Sequence, residues 1–150
     1  LLAIGLGCGK TAIAQSVQGT DGWKAACSVD RMTDKRRCTL AKTLWPSLDK
    51  PFVMLAYGLN ERTFGVLSRD PGKRARIRVD GNPVIIATWC GRAGCELDRP
   101  TSAALLEQLK SGMVVVVEFV TIGDEVLGPY EFSTSGFTGE FTKGKAMTQD

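Results

Sequence analysis

Apolar and polar residues alternate in short stretches through most of the chain, and clusters of glycine, proline, asparagine and aspartate separate these stretches. Because successive side chains of a strand point to opposite sheet faces, this period predicts strands with one buried face. Residues 58–62 and 80–83 have the composition of hairpin turns, so neighbouring strands should be antiparallel. The predicted strands are 23–28, 37–43, 52–57, 63–68, 75–79, 84–89, 113–121 and 126–133. This pattern predicts a mostly β fold, a single-domain antiparallel β-sandwich or barrel-like fold with one or two short helices.

Two segments change to the helical period. The first is 102–110, with Thr101 in the N-cap position and Gly112 immediately beyond its end. Its apolar stripe consists of Leu105, Leu106 and Leu109. The second, at 136–145, places two phenylalanines one turn apart, but its two glycines disfavour an isolated helix. We therefore expect this second helix to form only against the sheet.

The first residues have the composition of an export signal. An apolar run at 1–7 is followed by alanines at 12 and 14, the small-x-small pattern that precedes signal peptidase cleavage. We expect residues 1–14 to be the remnant of a signal peptide and 15–150 to form a single β-rich domain with its core at about 22–146. Cys8 is an alternative site of lipid attachment. No later apolar run reaches the roughly 18 residues of a transmembrane helix.

Composition narrows the classes of function. The chain contains no histidine, which is the most common general base and metal ligand near neutral pH. A formal net charge of +3 is too small to predict nucleic-acid binding. We therefore expect no cofactor, no metal site and no nucleic-acid partner, and the residues predict binding in preference to catalysis.

Four of the five cysteines fall into two local pairs. Cys27 and Cys38 lie in or beside consecutive predicted strands, so a disulfide across that hairpin is the simplest interpretation. Glycines between Cys90 and Cys95 allow the chain to turn back and bring these two residues within bridging distance. Four cysteines permit three connectivities, and the sequence leaves the crossed ones open. Paired cysteines in a small domain indicate an oxidising compartment outside the cytoplasm.

Other uses of these cysteines are disfavoured by their spacing. The segment that ends in Trp89, Cys90 and Gly91 resembles the strand that enters a thioredoxin active site, but four residues separate Cys90 from Cys95 where thioredoxins have two. Neither pair has the two-residue spacing of a zinc knuckle. A periplasmic thiol–disulfide oxidoreductase that uses Cys90 and Cys95 is kept as the alternative function, together with a periplasmic chaperone or inhibitor.

Two sets of residues are candidates for a binding surface. Period-two alternation places three arginines on one strand face, here called the arginine stripe: Arg74, Arg76 and Arg78. With Arg36 and Arg37, this stripe could contact anionic lipid headgroups or sulfated glycans, although a solvated strand face is the plainer interpretation. We expect the tryptophans to pack in the core or on the sheet and not to form a ligand platform; these are Trp23, Trp45 and Trp89.

An ordered set of short motifs carries a resemblance to a known family. Its residues lie at 21–27, 37–38, 78–80, 90–95, 110–112 and 132–137. Together they resemble the invasion-associated locus B family across about 22–146, although 67–74 depart from the family pattern. The resemblance implies that the four paired cysteines and Trp23 belong to the structural frame.

The same resemblance implies a location and a role. Members are small exported proteins of Gram-negative bacteria, and pathogenic members take part in host-cell invasion. We therefore expect a periplasmic, secreted or outer-membrane-associated protein without a catalytic site. Its partner is expected to be an envelope or host-surface component that the sequence does not identify, with anionic lipid or glycan as the candidate.

Overall fold

The computed structural model describes residues 15–16, 22–47 and 49–149. The predicted signal peptide at 1–14 and the candidate lipid site Cys8 lie outside these residues. The strands are β1 (Gln15–Ser16), β2 (Lys24–Val29), β3 (Arg36–Leu44), β4 (Val53–Gly58), β5 (Thr63–Ser68), β6 (Gly72–Val79), β7 (Ile85–Ala87), β8 (Trp89–Gly91), β9 (Gly94–Glu96), β10 (Val114–Thr121) and β11 (Val126–Ser133). The helices are α1 (Arg99–Ser111) and α2 (Phe137–Met147).

The strands form two sheets. One has the order β1-β11-β10-β6-β7 and the other has the order β2-β3-β4-β5-β9-β8. All pairings are antiparallel except that of β1 with β11. The mostly β, antiparallel prediction is confirmed, and among the described residues the sheets pack face to face without closing into a barrel.

The predicted strand 84–89 is in fact two strands in different sheets. β7 pairs with β6 in the first sheet, whereas β8 pairs with β9 in the second. The chain changes sheet at Thr88, which belongs to neither strand. Sequence patterning missed both this bend and β9. The strands β7, β8 and β9 are only 3 residues long each, and local alternation does not reveal which strand a segment pairs with.

One cluster of buried side chains draws on both sheets and both helices. Its fully buried members include Leu40 and Phe64 from the six-stranded sheet, Phe119 and Leu127 from the other sheet, and Leu105 from α1. Both β5 and β11 have the predicted bounds. Burial alternates strictly along β5, whereas in β11 the alternation is interrupted at Gly128 and Pro129. Removing this apolar surface from water is the main stabilising contribution to the fold.

The first helix begins earlier than predicted. Asp98, and not Thr101, is the N-cap: its carboxylate accepts a hydrogen bond from the backbone N–H of Thr101 at 2.7 Å. Pro100 occupies the first turn, where its missing N–H has no intrahelical partner to lose. Hydrogen bonding by the side chain of Thr101, together with this backbone hydrogen bond, lowers the pKa of Asp98 below its usual range. The sequence contained the signal, because an aspartate immediately before Arg99–Pro100 is a good helix start.

The second helix and three polar side chains close the side of the sandwich where β2 faces β11. Glu140 of α2 accepts a hydrogen bond of 2.9 Å from the backbone N–H of Ala25. Ala25 belongs to the edge strand β2. Trp23 Nε1 and Lys42 Nζ both donate to the carbonyl of Ser133, at 3.2 and 3.3 Å. Burial lowers the pKa of Lys42. The bond to Glu140 occupies a backbone group on a sheet edge that would otherwise be open to pairing with another chain.

Candidate functional site

Both disulfides join residues that lie directly opposite each other in antiparallel strands. Cys27 and Cys38 are paired across β2 and β3, and Cys90 and Cys95 are paired across β8 and β9. The Cα atoms are 4.0 Å apart in each bridge. Of the three connectivities that the sequence left open, the structure contains the one in which both pairings are local. Each bridge therefore fixes the register of a pair of strands.

The Cys90–Cys95 bridge has the surroundings of a structural disulfide. Cys95 is 1% exposed and its sulfur packs against Gly72 of the other sheet: a Cβ added to Gly72 would lie 2.9 Å from this Sγ. The bridge sits in a hairpin of two strands, whereas a redox-active pair uses a helix N-terminus to lower the pKa of its exposed thiol. This geometry favours a structural role for the Cys90–Cys95 disulfide, as a cross-link at the place where the two sheets meet.

The outer face of the six-stranded sheet carries an open groove of about 770 Å³. Its floor is made of small residues, since Ala56 of β4 lies directly opposite Gly65 of β5, and Thr39 lies opposite Gly58. The β8–β9 hairpin and the β4–β5 turn form its walls. We call this feature the sheet groove. It exists because the outward positions on its floor hold small residues, namely Thr39, Ala56, Gly58 and Gly65, in place of long side chains.

Trp89 stands at the rim of the sheet groove and is 74% exposed. Its ring makes no aromatic or cation–ring contact with the other described residues. The tryptophans were expected to pack in the core or on the sheet. Trp23 is buried at 5% exposure, and the half-exposed Trp45 packs against Phe52 with ring centroids 5.6 Å apart, whereas Trp89 is mostly exposed. Continued alternation from the buried Ala87 would turn Trp89 inward, but the bend at Thr88 turns it outward.

Four charged side chains surround the sheet groove: Arg37, Arg92, Glu61 and Glu96. All four residues are exposed, and none makes an ion pair or side-chain hydrogen bond through its charged group with the rest of the described chain. Glu61 leans over the floor, since its carboxylate is the nearest group to Gly58. The groove therefore offers two donor and two acceptor groups of balanced charge to a ligand. Sequence reasoning named only Arg37 among these residues and missed the set, because its members come from three separate segments: β3, the β4–β5 turn and the β8–β9 hairpin.

The arginine stripe lies on the opposite side of the molecule. Alternation in β6 is as predicted, with the arginines exposed and the apolar residues between them buried. Arg76, however, forms two 2.8 Å hydrogen bonds with the mostly buried carboxylate of Glu118 on β10. These bonds raise the pKa of Arg76. Arg78 Nε donates to the carbonyl of Asn82 at 3.0 Å. Arg74 and Arg78 thus supply the net positive charge of the stripe.

The remaining predicted anion-binding residues are not part of the stripe. Arg36 and Arg37 belong to β3 in the six-stranded sheet, whereas the stripe belongs to β6 in the other sheet. The sequence interpretation that combined the five arginines in one surface is therefore corrected by the sheet topology. Arg37 lines the sheet groove instead. Whether either set binds anions stays a prediction.

Within the described ranges, no group of three or more acidic or cysteine side chains is arranged to hold a metal ion. None of the helices described in the structure is long and apolar enough to cross a membrane.

No protein-family model matches the sequence, and no curated protein sequence is similar to it. A crystal structure of invasion associated protein B from Bartonella henselae does match, with a TM-score of 0.54 and 17% sequence identity. The match covers 88% of this chain and 99% of that protein. The chain has the fold of invasion associated protein B. The resemblance predicted from the sequence motifs is thus confirmed at the level of the fold, and a small β protein with two disulfides is consistent with export.

Proposed function

We propose that the protein is an exported component of the bacterial envelope or surface that acts by binding and not by catalysis. Two cross-strand disulfides support the oxidising location, and the fold shared with invasion associated protein B supports the class of protein. By analogy with the name of that protein, the proposal includes a role in contact with a host cell.

The observation that carries the binding role is the sheet groove. A floor of small residues on a sheet stapled by the Cys90–Cys95 hairpin gives a rigid surface, so little conformational entropy is lost when a ligand is ordered on it. Trp89 adds an exposed aromatic face, and the four charged side chains at the rim add hydrogen-bonding groups. A concave site with one aromatic residue and a few convergent polar groups is typical of ligand recognition.

The arginine stripe stays a second proposed contact, for anionic lipid or sulfated glycan. Arg74 and Arg78 carry it, because the charge of Arg76 is matched by Glu118. Binding at the stripe should weaken as salt rises, since exposed charges are screened over about 10 Å at 0.1 M ionic strength. Replacing Arg74 and Arg78 together by glutamine should remove any such salt-sensitive binding, and unchanged binding by that double variant would contradict it.

The export part of the proposal is tested by fractionating cells that produce the full chain and trapping free thiols at the moment of lysis. We expect the protein in the periplasmic, surface or secreted fraction with Cys27, Cys38, Cys90 and Cys95 protected from alkylation. Recovery in the cytoplasm with these thiols free would overturn the export proposal.

The binding part is tested by measuring adsorption of the purified oxidised domain to bacterial envelope fragments and to host erythrocytes. Gly65→Val places a side chain on the floor of the sheet groove, and its Cβ meets only ordinary contacts, the nearest at 3.5 Å. Gly81→Val adds the same side chain in open space outside the groove. We expect Gly65→Val to lose adsorption and Gly81→Val to retain it. Equal adsorption by both variants would contradict a binding role for the groove.

A further inference from the structure

We infer that the ligand of the sheet groove is a neutral glycan, an inference that rests on the proposed binding function and names its ligand class. Sugars present two kinds of surface: a flat face of C–H groups and a rim of hydroxyls that both donate and accept hydrogen bonds. The groove contains a counterpart for each. Trp89 offers an unoccupied ring face, and the charged side chains around it offer donors and acceptors.

The position of Glu96 strengthens this match. Glu96 lies directly opposite Trp89 in the β8–β9 ladder, so the two side chains leave the sheet as neighbours on the same face. A sugar ring stacked on the indole would have hydroxyls at its edge within reach of the carboxylate. Hydrogen bonds to a charged acceptor are stronger than those between neutral groups, which favours polyhydroxylated ligands.

The charge balance of the groove argues against a polyanion. Arg37 and Arg92 are matched by Glu61 and Glu96, so a sulfated or phosphorylated chain would gain two cations and meet two carboxylates. A neutral ligand meets no such repulsion. The arginine stripe, which has more cationic than anionic groups, lies on the other sheet.

The floor argues against an extended peptide. β4 is paired with β3 and β5, and β5 is paired with β4 and β9, so the backbone groups of the floor strands are already used within the sheet. Peptides that are recognised through their backbone add to a free sheet edge. The floor provides none, and the edge strand β8 beside the groove is only 3 residues long. A ligand on this face must be held by stacking and by side-chain hydrogen bonds, as sugars are.

The experiment titrates the oxidised domain with cellotetraose, tetra-N-acetylchitotetraose, maltotetraose and a mannose tetramer, and follows backbone amide shifts by NMR and affinity by calorimetry. We expect saturable binding of at least one of these neutral tetrasaccharides at millimolar concentration, with shifts confined to the groove. Trp89→Ala should weaken that affinity about tenfold, because one stacked aromatic ring contributes up to roughly that factor. Trp45→Ala is the matched control, since Trp45 is exposed but lies outside the groove.

A heparin-derived sulfated tetrasaccharide distinguishes the charged from the neutral class. If it alone binds, and binding falls with salt, the neutral-glycan inference is overturned. The inference also fails if none of the neutral tetrasaccharides binds, or if Trp89→Ala and Trp45→Ala bind equally well.

Adsorption to envelope fragments separates the failure of this inference from the failure of the binding proposal. Periodate cleaves the vicinal diols of sugars and should abolish adsorption, whereas protease treatment of the fragments should not. Adsorption that is lost in Gly65→Val and after protease, but not after periodate, would leave the groove as a binding site with a protein ligand and overturn the glycan class. Adsorption that Gly65→Val does not change would overturn both.

Discussion

Gly72 is a residue at which we expect the addition of a single methyl group to have a large effect on stability. It begins β6, in the position where that strand passes beneath the β8–β9 disulfide. A Cβ at this position would lie 2.6 Å from Phe119 Cζ and 2.9 Å from Cys95 Sγ. Phe119 is 0% exposed and Cys95 is 1% exposed, so neither neighbour can move toward solvent. Gly72→Ala should therefore overpack the corner between the two sheets.

The magnitude follows from two opposing contributions. Overpacking a well-packed core costs about 1–3 kcal/mol. Replacing glycine by alanine restricts the unfolded chain and offsets this by about 0.5 kcal/mol. The net loss in the free energy of unfolding for Gly72→Ala should be about 1.5 kcal/mol. Gly65→Ala is the matched control: its Cβ would have no neighbour nearer than 3.5 Å, so only the unfolded-state effect acts and stability should rise by about 0.5 kcal/mol.

Urea unfolding of the oxidised protein, followed by circular dichroism, measures both variants. With an m-value of about 2 kcal/mol per M, the midpoint should fall by about 0.75 M for Gly72→Ala and rise by about 0.25 M for Gly65→Ala. The m-values should stay equal to that of the parent. A Gly72→Ala midpoint at or above the parent's would refute the close packing of the two sheets at the disulfide. Equal shifts in both variants would show that the effect of glycine itself outweighs packing.

Three further predictions concern polar groups in the fold. Ser102→Ala should destabilise the protein by about 1–3 kcal/mol in chemical denaturation, because its buried hydroxyl accepts a 2.9 Å hydrogen bond from Phe64 N–H and nothing else would satisfy that donor. Arg76→Met should lower the free energy of unfolding by about 1 kcal/mol, because it leaves the Glu118 carboxylate unpaired. The loss should be larger than for the same change at Arg74 or Arg78. A second change, Glu118→Val, should restore the stability and is the check. Burial raises the pKa of Tyr57, so the stability that its neutral phenol contributes is present below pH 10 and is lost as pH rises through the pKa of the folded state. Tyr57→Phe should therefore reduce the loss of stability at alkaline pH. An unchanged dependence of stability on pH would count against this.

The comparison of β5 and β6 with β7 and β8 shows how far sequence patterning reaches. β5 was predicted at its observed bounds, because its alternation is uninterrupted and both neighbouring turns are strongly marked. The stripe of β6 was predicted on the correct face for the same reason. The prediction failed for the segment around Thr88. Its two 3-residue strands are too short to establish a period, and the bend between them depends on which sheet each half joins.

The candidate site was predicted only in part for a related reason. Cys90 and Cys95 are close in sequence, so a local turn is enough to bring them together, and composition indicated their oxidation. Glu61 and Arg92 meet at the sheet groove only because the strand order places β9 beside β5. No local pattern contains that order. The pairing of Arg76 with Glu118 likewise depends on β6 lying beside β10.

The sequence by itself determined the properties that depend on neighbours along the chain. These are the β-rich class, the faces of the longer strands, the two helices, the local cysteine pairs and the motifs that indicated the fold. The tertiary structure decided the properties that depend on contacts between distant segments. These are the sheet switch at Thr88, the exposure of Trp89, the separation of Arg37 from the arginine stripe and the groove itself. The physical reason is that side-chain alternation is a local property, whereas the order of strands in a sheet is set by the burial of the whole core.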